Sequence, residues 1–255
     1  MLPEACDAVA DFQLGRSLTL TDSILVSVHL PKTAGTSFAA ALHAQYEARY
    51  RADYEDLPLQ MSPWLRRMKA LRQGLSLRRA WQSEVACVHG HFLPAKYLCA
   101  LRGKPVKYVT WLRHPAERVV SHYYYWRRDY DGCDPRQPLR NRMLAENWSL
   151  ERFALGPEMR NVYCQYLWRF DPRLFDFIGI TECYVADLAR FVETFGWQVA
   201  VLEHALRNPD REDADYPISG KLRDRLIQHH ARDMALYHWA QQAGHRQYKV
   251  PPSRG

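Results

Sequence analysis

Lys32, His89, His91, Arg113 and Ser121 are the residues whose types and settings suggest chemistry. Lys32 belongs to the run HLPKTAGTSF (residues 29–38), ahead of Gly35 and the pair Thr36–Ser37. A strand that turns at a glycine into a helix points several backbone N–H groups one way, at the positive end of the helix dipole. That arrangement suits an anion. An ATP-type loop ends in G-K-[ST], with its lysine after the last glycine. Here the lysine comes first, straight after Pro31, so its charge enters from the strand side.

Two further motifs carry polar groups of the right type. In WLRHPAERVVSHYYY (111–125), Arg113 ends an apolar run and Ser121 lies two turns into the next helix. The gap is roughly 10 Å at ~1.5 Å per residue, much of which a long arginine side chain can cover. A guanidinium offers phosphate a planar fork of donors, and a serine adds a hydroxyl. A salt-bridged arginine beside a capped helix has the same signature. The third motif, VHGHF (88–92), sets His89 and His91 on either side of a glycine. It admits three readings: a base, a metal pair or packing. Cys87 and Cys99 are candidate third ligands, but their spacing matches no standard zinc pattern.

These residues need elements to hold them. SILVSVHL (23–30), EVACVHGHF (84–92), VKYVTWL (106–112) and FDFIGITE (175–182) read as short buried strands. Helices are expected after Gly35, where Thr36 or Ser37 serves as cap and Phe38, Ala41, Leu42 and Gln45 share a face. Others are expected from Pro115, from about Val185, and over 219–242. Strands alternating with helices predict a three-layer α/β fold in one domain, residues 1–255. A largely parallel sheet would be flanked by helices around a P-loop-like nucleotide-binding core. Ligands bind beyond the carboxyl ends of such strands, and all three motifs fall there.

Composition narrows the function. Hydrophobic residues make up 47% of 255, enough for a substantial core, and the net charge of +7 favours anionic ligands. No apolar run is long enough to span a bilayer. The first residues carry acids and no apolar core, unlike a secretory signal. Cys6, Cys87, Cys99, Cys133, Cys164 and Cys183 are scattered with no C-x-x-C, which suits a reducing compartment. The expectation is a soluble cytoplasmic protein. Residues 64–80 form a basic helical stretch, read either as a solvated face or as a wall for an acidic acceptor. Residues 130–142 and 207–220 are expected to be mobile loops.

Two separated anion sites fit a nucleotide phosphorylated at both 5′ and 3′ positions better than ATP, whose phosphates are contiguous. HLPKTAGTSF together with LRHPAERVVSHYYY resembles the PAPS-dependent sulfotransferases, especially the branch with heparan sulfate 2-O-sulfotransferase and its bacterial relatives. NVYCQYL (161–167) and FIGITE (177–182) are similar to later segments of that family. One departure is His114, where many relatives have Asp.

The resemblance implies that Lys32, Thr33, Ala34, Gly35, Thr36 and Ser37 hold the 5′-phosphosulfate of 3′-phosphoadenosine-5′-phosphosulfate (PAPS). It implies that Arg113 and Ser121 hold the 3′-phosphate. It assigns the base to His91 and a supporting or acceptor-facing role to His89. The implied products are a sulfated hydroxyl and 3′,5′-adenosine bisphosphate, with no metal required. Lys32 would stabilise the charge growing on the leaving phosphate. The acceptor would be a saccharide hydroxyl, with a small-molecule or lipid-linked acceptor as the open alternatives. MRNVYCQYLWRF (159–170) is a candidate wall of its cleft, with Asn161 and Gln165 on one face if the segment is helical. Tyr123, Tyr124, Tyr125 and Trp126 are read as stacking surfaces or as core. Ser219 and Lys221 are further candidates for the 3′-phosphate. The rival readings are a P-loop nucleotide kinase and a non-catalytic nucleotide or polyanion binder. No nucleic-acid module signature is present, so nucleic acid is not an expected partner.

Overall fold

The computed structural model describes residues 23–56, 59–128, 130, 132–197 and 216–247. Among these, five strands form one parallel sheet in the order β2-β3-β1-β4-β5. They are β1 (Ile24–Val28), β2 (Tyr50–Ala52), β3 (Cys87–Gly90), β4 (Val106–Leu112) and β5 (Phe175–Ile180). The helices in chain order are α1 (Gly35–Tyr46), α2 (Pro63–Arg79), α3 (Ala95–Ala100), α4 (Pro115–Arg127) and α5 (Pro138–Ala145). They continue with α6 (Leu150–Ala154), α7 (Val162–Tyr166), α8 (Tyr184–Phe195), α9 (Gly220–His229) and α10 (Ala231–Gln247).

The strand sequences alternate between two cores, as the two-residue period of a strand requires. Leu25, Cys87, Val109 and Trp111 face one layer, where Phe38 and Leu42 of α1 meet Leu188 and Phe191 of α8. Val26, Val28, Val88 and Tyr108 face the other, with Tyr97, Val119, Tyr163 and Tyr237 from the remaining helices. The three-layer parallel α/β architecture expected from the sequence is therefore present.

The chain leaves β1 towards β2 on one side and leaves β4 towards β5 on the other. Such divergence opens a crevice at the strand ends, between β1 and β4. Register decides what meets there. Val28 pairs with Gly90 and with Thr110, so the residues just past β1 and β3 lie side by side.

Three local expectations need correction. The helix after the loop is not capped by Thr36 or Ser37: Ala34, in the left-handed region, is the N-cap, and no side chain caps it. The three-residue β2 went unpredicted. The long tail helix is broken at His230, leaving α9, capped by Ser219, and α10. Of the two expected mobile loops, 130–142 runs into α5, and residues 207–215 lie outside the described residues.

Candidate active site

A cavity of about 880 Å³ opens at the carboxyl edge of the sheet, a size that suits a nucleotide-scale ligand. Its floor is the loop predicted to bind an anion: Lys32, Ala34, Gly35, Thr36 and Ser37 all line it. Lys32 (φ 66) and Ala34 (φ 61) both take left-handed backbone. Alternating left- and right-handed residues fold a chain so that successive N–H groups converge, which makes an anion nest. Thr33 does not line the cavity. It is buried, and its hydroxyl donates to the Leu30 carbonyl at 2.9 Å, closing the loop from behind. Gly35 makes room for a ring: a Cβ there would lie 1.6 Å from Nε2 of His29, so any larger residue would displace that imidazole.

That histidine was not among the sequence candidates, yet it organises the site. Val28 pairs with Gly90, and the His29 amide donates to the Gly90 carbonyl at 2.9 Å. His29 and His91 are thereby set one residue past two adjacent strands, and their rings stack at 4.2 Å. His89 lies two residues back along β3, stacked on His29 at 4.9 Å. It is buried and does not line the cavity; Ser27 on the paired strand position hydrogen-bonds its Nδ1 at 2.9 Å. Gly90, between the two histidines, passes so close to β2 that a Cβ would meet the Asp53 carbonyl oxygen at 1.8 Å.

Two ring nitrogens can be assigned protons by their partners. His91 Nδ1 is 2.6 Å from the His29 carbonyl oxygen. A carbonyl only accepts, so the proton is on Nδ1 and Nε2 is a bare lone pair. His122, on α4, also lines the cavity, and its Nδ1 is 3.2 Å from Nη1 of Arg118. An arginine only donates, so His122 carries its proton on Nε2. The cavity thus has one histidine fixed as an acceptor and another fixed as a donor. Burial is the main cause that keeps both neutral. It pushes His91 down to about 4, against the raising effect of the His29 carbonyl. It pushes His122 well below its ordinary value, helped by the charge of Arg118. Arg118 is fully buried, and its Nε and Nη2 have no hydrogen-bond partner among the described residues.

The charged residues of the cavity wall are mostly cationic. Lys32, Arg113, Arg128, Arg136 and Arg140 face Glu55 and Asp134. Arg136 already binds Asp134 through Nε at 3.1 Å. The Lys32 ammonium lies 4.1 Å from the centre of the Tyr125 ring, a cation–π contact that parks it inside the cavity. The Arg113 backbone is fixed by Tyr163, whose hydroxyl donates to the Arg113 carbonyl at 2.6 Å and accepts from its amide at 3.1 Å. Thr181 and Tyr184, past β5, complete the wall, and the buried Thr181 hydroxyl has no partner among the described residues.

The remaining candidates lie elsewhere. Ser121 is buried on α4 and does not line the cavity with Arg113. Asn161 and Gln165 also stay outside it, because their amides do structural work. Asn161 Oδ1 accepts from the amides of Arg232 and Asp233 at the start of α10. Asp233 in return accepts from the amides of Tyr163 and Cys164 at the start of α7. The two helices cap each other. Gln165 Nε2 donates to the Arg160 carbonyl at 2.9 Å and holds the preceding turn. Of the aromatic run, Tyr125 and Trp126 line the cavity, while Tyr123 is core and Tyr124 stacks on Tyr216 at 4.1 Å.

Behind the histidines sits a buried ionic group. Lys96 reaches Asp53 at 2.6 Å and Asp56 at 3.1 Å, and the Tyr97 hydroxyl donates to Asp53 at 2.6 Å. It pins residues 53–56, and so places Tyr54 edge-on against His91 at 5.1 Å. Among the described residues, no group of three or more His, Cys, Asp or Glu side chains is arranged to hold a metal ion.

No protein-family model matches the chain, and no curated protein is similar to it at a meaningful level. Among solved structures it is similar to a sulfotransferase from Alicyclobacillus acidocaldarius, with 15% identity, 84% of this chain and 93% of that one covered, and a TM-score of 0.44. It is also similar to mouse sulfotransferase SULT7A1 complexed with PAP, with 10% identity, 90% of each chain covered and a TM-score of 0.47. A third likeness is to an uncharacterized protein from Eubacterium ventriosum, with 14% identity, 68% of this chain and 99% of that one covered, and a TM-score of 0.33. These likenesses are remote and superpose weakly.

Proposed function

We propose that the protein transfers a sulfuryl group from PAPS to an acceptor hydroxyl, in the first instance that of a saccharide. The observation that carries this reading is the bare Nε2 of His91 in the same cavity as the anion nest and Lys32. A nest with a lysine holds a phosphosulfate, and a bare imidazole nitrogen removes a hydroxyl proton. Together they suit a displacement that needs positioning and charge stabilisation.

In the proposed step the acceptor hydroxyl gives its proton to His91 Nε2 as its oxygen attacks sulfur. A new S–O bond forms and the bond from sulfur to the 5′-phosphate oxygen breaks. The electron pair stays on that oxygen, where Lys32 and the loop amides from Ala34 to Ser37 stabilise it. His122 donates a hydrogen bond from Nε2 to an oxygen of the transferring group or the acceptor. Arg113 binds the 3′-phosphate. The assignment of Ser121 to that phosphate stands as a proposal that requires α4 to present its buried hydroxyl. A neutral His91 is held low by burial, and an anionic donor placed beside it raises its proton affinity towards the working range.

The test is release of 3′,5′-adenosine bisphosphate from PAPS against a panel of hydroxyl acceptors, with saccharides first and with and without EDTA. Acceptor-stimulated release that Lys32→Ala lowers by about 10²–10³-fold supports the reading. Turnover of ATP with Mg²⁺ instead would favour the nucleotide kinase.

A further inference from the structure

The outer face of α2 is built against the usual rule for a surface helix. Arg66, Ala70 and Gly74, spaced by four, turn inward and are buried. Gly74 packs so closely on α3 that a Cβ would meet the Lys96 carbonyl oxygen at 2.8 Å. At about 100° per residue, the opposite side of the helix carries Trp64, Leu65, Met68, Arg72, Leu75 and Arg79. Such a side is ordinarily polar. Here Trp64 is 68% exposed, Leu65 51% and Leu75 55%. A shallow groove of about 280 Å³ runs between Met61, Trp64, Leu65 and Met68, rimmed by Lys69 and Arg72.

Charge says what covers this face. No acidic residue occurs between Asp56 and Glu84, while α2, apart from its inward Arg66, carries Arg67, Lys69, Arg72, Arg78 and Arg79. A second copy docked through the same face would oppose arginine to arginine across the two-fold axis. An anionic lipid surface answers both features: Trp, Leu and Met enter the acyl boundary, and Arg72 and Arg79 meet the headgroup phosphates. No helix among the described residues is long and apolar enough to cross a membrane, so the contact would be peripheral. We infer that α2 seats the protein on an anionic bilayer through Trp64, Leu65, Met68, Arg72, Leu75 and Arg79. The groove adjoins the cavity along the chain, since Leu59 and Gln60 line the cavity and Met61 lines the groove. On the transfer reading above, acceptor hydroxyls at the lipid surface then lie at the cavity's edge. The docking itself does not depend on that reading.

The test is co-sedimentation of the full chain with vesicles of phosphatidylcholine alone and with about 30% phosphatidylglycerol. Pelleting is expected only with the anionic vesicles, falling as salt screens the arginines. Trp64→Ser with Leu65→Ser, and separately Arg72→Glu with Arg79→Glu, are each expected to lower the bound fraction about tenfold or more. Their unfolding midpoints are expected to match wild type, because these side chains are exposed. Absence of anionic-vesicle binding, or binding unchanged in both variants, overturns the inference. So does a wild-type dimer in sedimentation velocity that these substitutions dissociate, which would assign the face to a second copy. Vesicle binding without PAPS turnover would leave the docking standing and remove the transfer reading.

Discussion

His91 Nδ1 lies 2.6 Å from the carbonyl oxygen of His29, and that contact decides which nitrogen of this cavity-lining histidine is left bare. The bond joins residues 62 apart in sequence, brought together because Val28 and Gly90 are partners in adjacent parallel strands. His91→Gln is expected to lower PAPS turnover by about 10²–10⁴-fold, the usual contribution of a positioned base. Affinity for 3′,5′-adenosine bisphosphate is expected to stay within a few-fold of wild type. Loss of nucleotide binding in this variant would make His91 a structural residue.

In the proposed mechanism His122 is the opposite partner, a donor whose proton is fixed on Nε2 by Arg118. Replacing it with Phe removes the donor and keeps the packing against Trp126, whose ring is 4.6 Å away. Turnover is expected to fall about tenfold to a hundredfold, within the range of a lost hydrogen bond to developing charge. His122→Gln, whose amide can donate, is expected to recover part of it. Equal activity of wild type and the Phe variant would remove His122 from the mechanism.

Acid should unfold the protein early. Burial lowers His29, His89, His91, His122 and His230 below their ordinary value, with His89 and His230 near 3 and His91 near 4. Below pH ~6.5 the unfolded chain protonates these rings while the folded chain does not, so the unfolded state binds more protons. Their stability contribution is whole above pH ~6.5 and is lost as pH falls towards the folded values. Each such group costs ~1.4 kcal/mol per pH unit in that window. Urea titrations from pH 7 to 4.5 are expected to show a steep loss, made shallower by about that amount in His89→Phe. A flat profile would contradict the buried, neutral assignment.

The Lys96 group makes a stability prediction of its own. Lys96→Met leaves Asp53 and Asp56 without their cation, and losing one partner of a buried ionic group costs ~3–5 kcal/mol. Adding Asp53→Asn and Asp56→Asn is expected to restore part of that loss in urea unfolding. Additive losses across the three substitutions would show that the group does not act as a unit.

The turn from β1 into α1 was legible in the sequence because proline, glycine and two hydroxyl residues at the end of an apolar run leave few alternatives. The parallel sheet was legible because its longer strands are short runs rich in β-branched and aromatic residues, Ile24–Val28 and Val106–Leu112 above all. β2 was hidden because Tyr50–Ala52 is three residues with a central arginine, too short to display alternation. His29 was overlooked because its importance comes from register with β3, which no local pattern encodes. Lys96 carries no local signal, since only tertiary packing brings Asp53 and Asp56 to it. The break at His230 follows from the mutual capping of α7 and α10 by Asn161 and Asp233, again a long-range event. The same event accounts for Asn161, which helical spacing with Gln165 had made a candidate acceptor residue.

The most direct measurement is calorimetric titration of the wild type and Arg113→Ala with 3′,5′-adenosine bisphosphate, set against ATP with Mg²⁺. The account predicts tight one-to-one binding of the bisphosphate by wild type, weakened at least tenfold in the variant and not matched by ATP. Preference for ATP with metal, or bisphosphate binding indifferent to Arg113, would contradict it.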